Sequence, residues 1–159
     1  MIQVLDPRGL AIIGGCLPIL GGIIGSVLGM GIACPAGVAC LAEDPSQFRN
    51  VIVLAAMPIT QTFYGLVATI IIFTSALPNI PETGGMGLAV IGIGFLTGAA
   101  ELFSATWQGI IDASGIALLP KTKGRIFTHS FLLAIYCELP GTLGIVWTII
   151  LLSLLGLMG

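Results

Sequence analysis

Four long apolar stretches, separated by short polar ones, constrain the fold of this chain most strongly. They cover residues 10–41, 50–77, 85–119 and 125–158. Each exceeds the ~20 residues that an α-helix needs to cross the hydrocarbon core of a bilayer. Only 8% of the 159 residues are charged, whereas soluble domains carry about 25%. The sequence therefore predicts an all-α membrane protein with four transmembrane helices, and it offers no basic patch for nucleic acid.

The polar stretches act as turns and predict two helical hairpins with both termini on one side of the lipid bilayer. Four of the five basic residues lie at the first and third turns: Arg49, Lys121, Lys123 and Arg125. Cytoplasmic loops of multi-pass proteins are enriched in Lys and Arg. We therefore expect the first and third turns to be cytoplasmic.

An internal repeat relates the two hairpins. Residues 61–67 (QTFYGLV) resemble residues 140–146 (PGTLGIV) at an offset of 79 residues. This repeat predicts one duplicated and fused hairpin unit, with residues 1–79 as the first copy and residues 80–159 as the second. The copies run in the same direction, which disfavours the transporter plan of inverted halves.

Glu138 is a carboxylate in the middle of the fourth apolar stretch, and no Lys or Arg lies within ten residues of it. A charge at the centre of a membrane span costs roughly 2.5–3.5 kcal/mol on insertion scales, and such residues usually belong to an ion or proton path. The repeat places Ile59 opposite Glu138, so only the second hairpin carries this carboxylate. The alternative is a protonated glutamate that only packs between helices.

Two amide side chains are expected at the depth of Glu138. Gln61, Gln108 and Glu138 each lie 12 or 13 residues from the cytoplasmic end of their stretch, which is roughly 18–20 Å at the helical rise. Thr60 and Tyr64 lie within one turn of Gln61. A carboxylate combined with amide, hydroxyl and carbonyl oxygens is a ligand set for a hard cation.

Two prolines are expected to loosen the backbone near this depth. Pro58 cannot donate a backbone hydrogen bond, so it should free a carbonyl near Leu54 and re-aim that of Met57. Pro140 should act in the same way around Tyr136. The alternative is that both prolines are tolerated kinks whose neighbours satisfy the backbone.

Together these features resemble the membrane-ring proteolipid, of the K or c type, of V-type and A-type rotary ATPases. The resemblance covers nearly the whole chain and is carried by residues 58–65 (PITQTFYG), Gln108 with Gly109, and Glu138. At Ile59 the family often has glycine. Similarity to the sodium-transporting members implies a set of ion-binding residues: Glu138, Gln108, Gln61, Thr60 and the carbonyl of Met57, with Tyr64 locking the glutamate.

The resemblance also implies a rotary function. Many copies would form a homo-oligomeric ring with the Gly-rich first and third helices inside. Na⁺, or H⁺ as the alternative, would enter through a half-channel of a stator membrane subunit and travel around the ring on Glu138. ATP hydrolysis or synthesis would take place in a soluble head, coupled by central-stalk subunits that touch the cytoplasmic turns. The chain itself would not be catalytic.

Three further polar residues and two alternative functions bear on this interpretation. Glu101 precedes Gln108 by seven residues and so shares its helix face; we expect it to pack or to extend the ion path. Asp112 and His129 are expected near the cytoplasmic boundary. An independent four-helix ion channel or carrier would need polar residues across the whole membrane, whereas here they cluster at one depth. A purely structural bundle would assign no role to Glu138.

Overall fold

A computed structural model of the chain describes residues 6–158, which are almost entirely helical. Six α-helices follow in chain order: α1 Pro7–Glu43, α2 Phe48–Ala56, α3 Thr60–Ile71, α4 Met86–Ile116, α5 Leu119–Thr122 and α6 Phe127–Leu154. The 3₁₀ turn Met57–Ile59 joins α2 to α3, and the π-helical turn Ile72–Ala76 extends α3. The second apolar stretch is thus one long helical segment with a bend at Pro58.

Within the described residues, four segments are long and apolar enough to cross a membrane: Pro7–Glu43, Pro45–Asn79, Met86–Ile116 and Phe127–Leu154. The prediction of four transmembrane helices is confirmed, with ends that differ by a few residues. The first span begins earlier than expected because Asp6 caps it. The Asp6 carboxylate accepts hydrogen bonds from the backbone N–H groups of Arg8 and Gly9 at 3.4 and 3.1 Å, which would otherwise lack partners.

Helices α1 and α4 pack against each other along their length and form the inner pair of the bundle. Their glycines allow the two backbones to touch. A Cβ atom on Gly21 would overlap the carbonyl group of Gly98, and one on Gly94 would overlap that of Gly14. Small residues at such crossings let membrane helices approach closely. The Gly-rich character of the first and third spans is therefore a packing requirement.

Helices α3 and α6 form the outer pair: α3 packs on α1, α6 packs on α4, and the two also touch each other. This arrangement separates two apolar clusters. One contains Ile72, Val90 and Leu152, and the other contains Leu54 and Ile116. Between them lies a group of buried polar side chains from α3 and α4: Gln61, Glu101, Ser104, Gln108 and Asp112.

The first and third turns meet at one end of the bundle. Gln47 donates a hydrogen bond to Asp44 at 3.0 Å and accepts one from Asn50 at 2.9 Å. Across the turns, a Cβ atom on Gly124 would lie 3.0 Å from the Gln47 amide oxygen. Hydrogen bonds from Ser46 and Gln47 lower the pKa of the Asp44 carboxyl below its usual value. The two turns that carry most of the basic residues therefore share one end of the molecule.

The hairpins of residues 1–79 and 80–159 correspond to α1–α3 and α4–α6. The division falls after Asn79, where the 3₁₀ turn Leu77–Asn79 ends and an exposed segment leads to α4. In both halves the first long helix belongs to the inner pair and the last to the outer pair. The origin of the halves by duplication stays a prediction.

Candidate functional site

The bend at Pro58 positions the polar side chains of α3. The backbone N–H of Met57 donates to the carbonyl of Leu54, so the prediction of a free carbonyl at Leu54 is wrong. The tighter 3₁₀ hydrogen bonding supplies the donor that an undistorted helix with a proline would lack. The Met57 carbonyl accepts the backbone N–H of Thr60 and also the Thr60 hydroxyl, at 3.0 Å.

Helix α1 holds this bend in place through Ser26, which sequence analysis did not single out. The Ser26 hydroxyl donates to the carbonyl of Pro58 at 2.5 Å. The Thr62 hydroxyl donates in turn to Ser26 at 2.8 Å and to the carbonyl of Gly22 at 3.2 Å. These contacts fix the rotation of α3 about its axis, and so decide which way its next residues point.

Gln61 is the centre of a hydrogen-bonded network between α3 and α4, and its side chain is fully buried. Its amide nitrogen donates to the hydroxyl of Ser104 at 2.9 Å and to the amide oxygen of Gln108 at 3.1 Å. Its amide oxygen accepts the Thr60 hydroxyl at 3.1 Å. Three of the predicted ion-binding residues therefore meet at one point between the helices.

Ser104 extends the network to α6. Its hydroxyl donates to the carbonyl of Cys137 at 2.6 Å, so it connects Gln61 to the residue that precedes Glu138. Sequence analysis missed Ser104. The available signal was its spacing, because it precedes Gln108 by four residues and must lie on the same helix face.

Glu138 lies on α6 and is half-buried. The Tyr64 hydroxyl donates a hydrogen bond to its Oε1 atom at 2.8 Å. Tyr64 follows Gln61 by three residues on α3, so the two point to the same side of that helix. The predicted residues thus form two hydrogen-bonded groups that α3 joins. One contains Met57, Thr60, Gln61 and Gln108, and the other contains Tyr64 and Glu138.

The chemistry of these atoms suits a small hard cation. The anionic group is Glu138, and hydroxyl, amide and carbonyl oxygens lie on the neighbouring turns. Hard monovalent cations favour such oxygens over nitrogen or sulfur. The hydrogen bonds among the neutral groups hold their oxygens in position, which reduces the ordering that ion binding would require.

Two more carboxylates lie on this face of α4. Glu101 and Asp112 are both fully buried, and none of their oxygens has a hydrogen-bond partner among residues 6–158. Asp112 was expected at the cytoplasmic boundary and instead lies inside the bundle. His129 is exposed.

Comparisons with known proteins bear on this arrangement. A sequence profile of the C-subunit family of ATP synthases matches residues 13–72. The V-type sodium ATPase subunit K of Enterococcus hirae is 33% identical over 109 residues, which cover 65% of this chain and 69% of that protein. The chain belongs to the family of ATP synthase C and ATPase K subunits. The family predicted from the sequence is thereby confirmed.

A second relative of this K-type subunit is the A-type ATP synthase subunit K of Methanocaldococcus jannaschii. The two are 37% identical over 91 residues, which cover 57% of this chain and 40% of the relative. The chain therefore matches less than half of that relative's length. The profile match lies in the first hairpin and includes the stretch from Met57 to Tyr64.

Proposed function

We propose that this K-type subunit is the ion-carrying rotor-ring component of a V- or A-type rotary ATPase, and that it moves ions across the membrane as ATP is hydrolysed or synthesised. The observation that carries the proposal is the position of Glu138. It is an outer-helix carboxylate held by Tyr64 and half-buried on the flank of the bundle. A group that exchanges ions with a neighbouring stator subunit must be reachable from outside the ring.

The packing of the bundle supports a ring of many copies. The backbone contacts of α1 and α4 make the inner side of each subunit narrow, whereas the bulkier α3 and α6 occupy the outer side. Large apolar side chains are exposed around the bundle, among them Val27, Phe95, Trp107 and Leu132. In a bilayer these surfaces would contact lipid or adjacent copies.

Glu138 would alternate between two states as the ring turns. Facing lipid, it binds a cation and is neutral overall, because burial in a low dielectric disfavours a bare anion. Facing the stator, it releases the ion and is ionised beside a polar half-channel. Tyr64 would hold the carboxylate inward in the first state and release it in the second. The first and third turns would face the cytoplasm, where central-stalk subunits could bind them.

The number of oxygens favours sodium as the transported ion. A proton needs one carboxylate oxygen and a hydrogen-bond partner, whereas Na⁺ needs several oxygens around one point. This subunit provides Glu138, the Thr60 hydroxyl, the oxygens of Gln61 and Gln108, and the carbonyl of Met57. Buried polar groups are costly unless they are paired, so a proton site would not require so many. The Enterococcus hirae relative is named a sodium ATPase subunit.

The size of the native protein in mild detergent tests the ring. We expect the detergent-extracted protein to have the mass of a closed assembly of many copies, because the exposed apolar flanks would otherwise lack partners. Native mass spectrometry gives that mass directly. A monomer or dimer at native expression level would contradict the rotor proposal and favour an independent four-helix channel or carrier.

Tyr64→Phe should weaken cation binding at Glu138. The change removes the hydroxyl that donates to the carboxylate at 2.8 Å and leaves the ring in place. Hydrogen bonds to charged groups contribute about 1.5–3 kcal/mol, so we expect Na⁺ affinity to fall by roughly tenfold to a hundredfold. Titration of purified rings with ²²Na⁺ would measure the change.

The matched control is Tyr136→Phe, which makes the same chemical change two residues before Glu138. The Tyr136 side chain is 69% exposed. This variant should bind Na⁺ like the unaltered protein. Equal affinities for the Tyr64 and Tyr136 variants would show that Tyr64 does not hold the carboxylate in the bound state.

A further inference from the structure

Glu101 is a buried carboxylate with nothing on the chain to neutralise it. Its side chain is 0% exposed, and neither of its oxygens has a hydrogen-bond partner among the described residues. Helices α3, α4 and α6 contain no Lys or Arg, and the one in α1 is Arg8 at its first turn. An isolated carboxylate in such surroundings would cost far more than a membrane bundle can tolerate. Its charge must therefore be balanced by a bound cation.

The carboxylate lies against α6 in a space that two glycines leave open. A Cβ atom on Gly141 would lie 2.7 Å from Glu101 Oε2 and 3.1 Å from the Ser104 hydroxyl. A Cβ atom on Gly144 would lie 3.5 Å from Glu101 Oε1. Any larger residue at either position would occupy this space. The oxygens of Glu101 and Ser104 thus point to the same small region beside the α6 backbone.

This region is next to the candidate ion site but separate from its carboxylate. Gly141 lies three residues after Glu138, about one turn along α6. The same Gly141 position is 3.4 Å from the Gln61 side chain, and Ser104 accepts a hydrogen bond from Gln61. The two carboxylates therefore share the Gln61–Ser104 network and lie on different helices.

We propose that Glu101, with the hydroxyl of Ser104, forms a second monovalent-cation site, so that each subunit binds two cations. It rests on the proposed function only in taking Glu138 as the first site. The occupant is Na⁺ or a proton, since either neutralises a carboxylate. With both sites filled, the two carboxylates cross the lipid-facing part of the cycle without a net charge.

Counting the cations on purified rings tests the proposal. Rings saturated with Na⁺ and washed free of excess are analysed for bound Na⁺ per chain, in the unaltered protein and in Glu101→Gln, Glu138→Gln and the exposed-loop control Glu82→Gln. Two Na⁺ per chain, with one lost in each membrane variant and none in the control, would establish Na⁺ at both sites.

The proton arm uses infrared spectroscopy on the same rings. If one Na⁺ is bound and only Glu138→Gln removes it, a carboxylic-acid C=O band must be present that Glu101→Gln abolishes. Asp112→Asn must leave that band in place. The band must also shift on transfer to D₂O, because a proton in a cation site exchanges. Glu101→Asp keeps the carboxyl and should keep a shifted band if the glutamine variant fails to assemble.

Two results would overturn the second site. One is a single bound Na⁺ with no acid band assignable to Glu101. The other is an acid band that does not respond to D₂O, which would make Glu101 a sealed packing residue. Neither depends on Glu138, since the failure of that site would appear as unchanged Na⁺ binding in Glu138→Gln.

Discussion

Glu138→Gln is expected to abolish ion transport while the ring still assembles. The amide keeps the shape of the side chain and can still accept the Tyr64 hydrogen bond, but it has no charge with which to hold a cation. ATP-driven ²²Na⁺ uptake into proteoliposomes containing the whole complex should fall to the level of vesicles without protein. Native mass spectrometry of the variant ring should give an unchanged number of copies.

Glu82→Gln is the matched control for this change. Glu82 lies in the exposed segment between the two hairpins, and its loss should leave transport unaltered. Uptake by the Glu138 variant at a rate close to that of the control would refute the assignment of the transported ion to this carboxylate.

Gly94→Ala should prevent a stable subunit from forming. A Cβ atom at this position would overlap the carbonyl of Gly14 on α1, and backbone atoms cannot move aside as a flexible side chain can. Overpacking in a well-packed core typically costs about 1–3 kcal/mol and occasionally more. Repetition of that cost in every copy of a ring should lower its dissociation temperature strongly or abolish assembly.

Gly92→Ala makes the same change two residues earlier on the same helix. Gly92 is exposed, and a Cβ atom there would meet nothing within 4 Å. Thermal dissociation of the purified rings, followed by native electrophoresis, compares the two variants. Equal stability of both would show that the close α1–α4 crossing is not needed.

The fold could be predicted from the sequence because length and hydropathy suffice to identify a membrane span. The meeting of Gln61 with Gln108 was also accessible, since depth along roughly parallel helices follows residue number. Their amide groups do lie 3.1 Å apart. The basic residues placed the first and third turns together for a similar reason.

The details of the site were not accessible because they depend on helix rotation and local distortion. Ser104 looks like an ordinary small residue in a Gly- and Ala-rich helix until α4 is placed against α6. The expectation at Leu54 assumed regular α-helical hydrogen bonds around Pro58, whereas a 3₁₀ turn redistributes them. The burial of Asp112 likewise follows from the face that α4 turns toward its neighbours and not from its distance to the turn.

Sodium protection of Glu138 against a carboxyl-reactive carbodiimide tests the central claim most directly. The reagent attacks a protonated carboxyl, so a bound Na⁺ should block it. At fixed pH, millimolar Na⁺ should slow the modification of Glu138 in purified rings, as followed by mass spectrometry of the modified peptide, while K⁺ at the same concentration should not. Modification of Glu138 that varies with pH but is indifferent to Na⁺ would contradict the sodium site and assign the ring to protons.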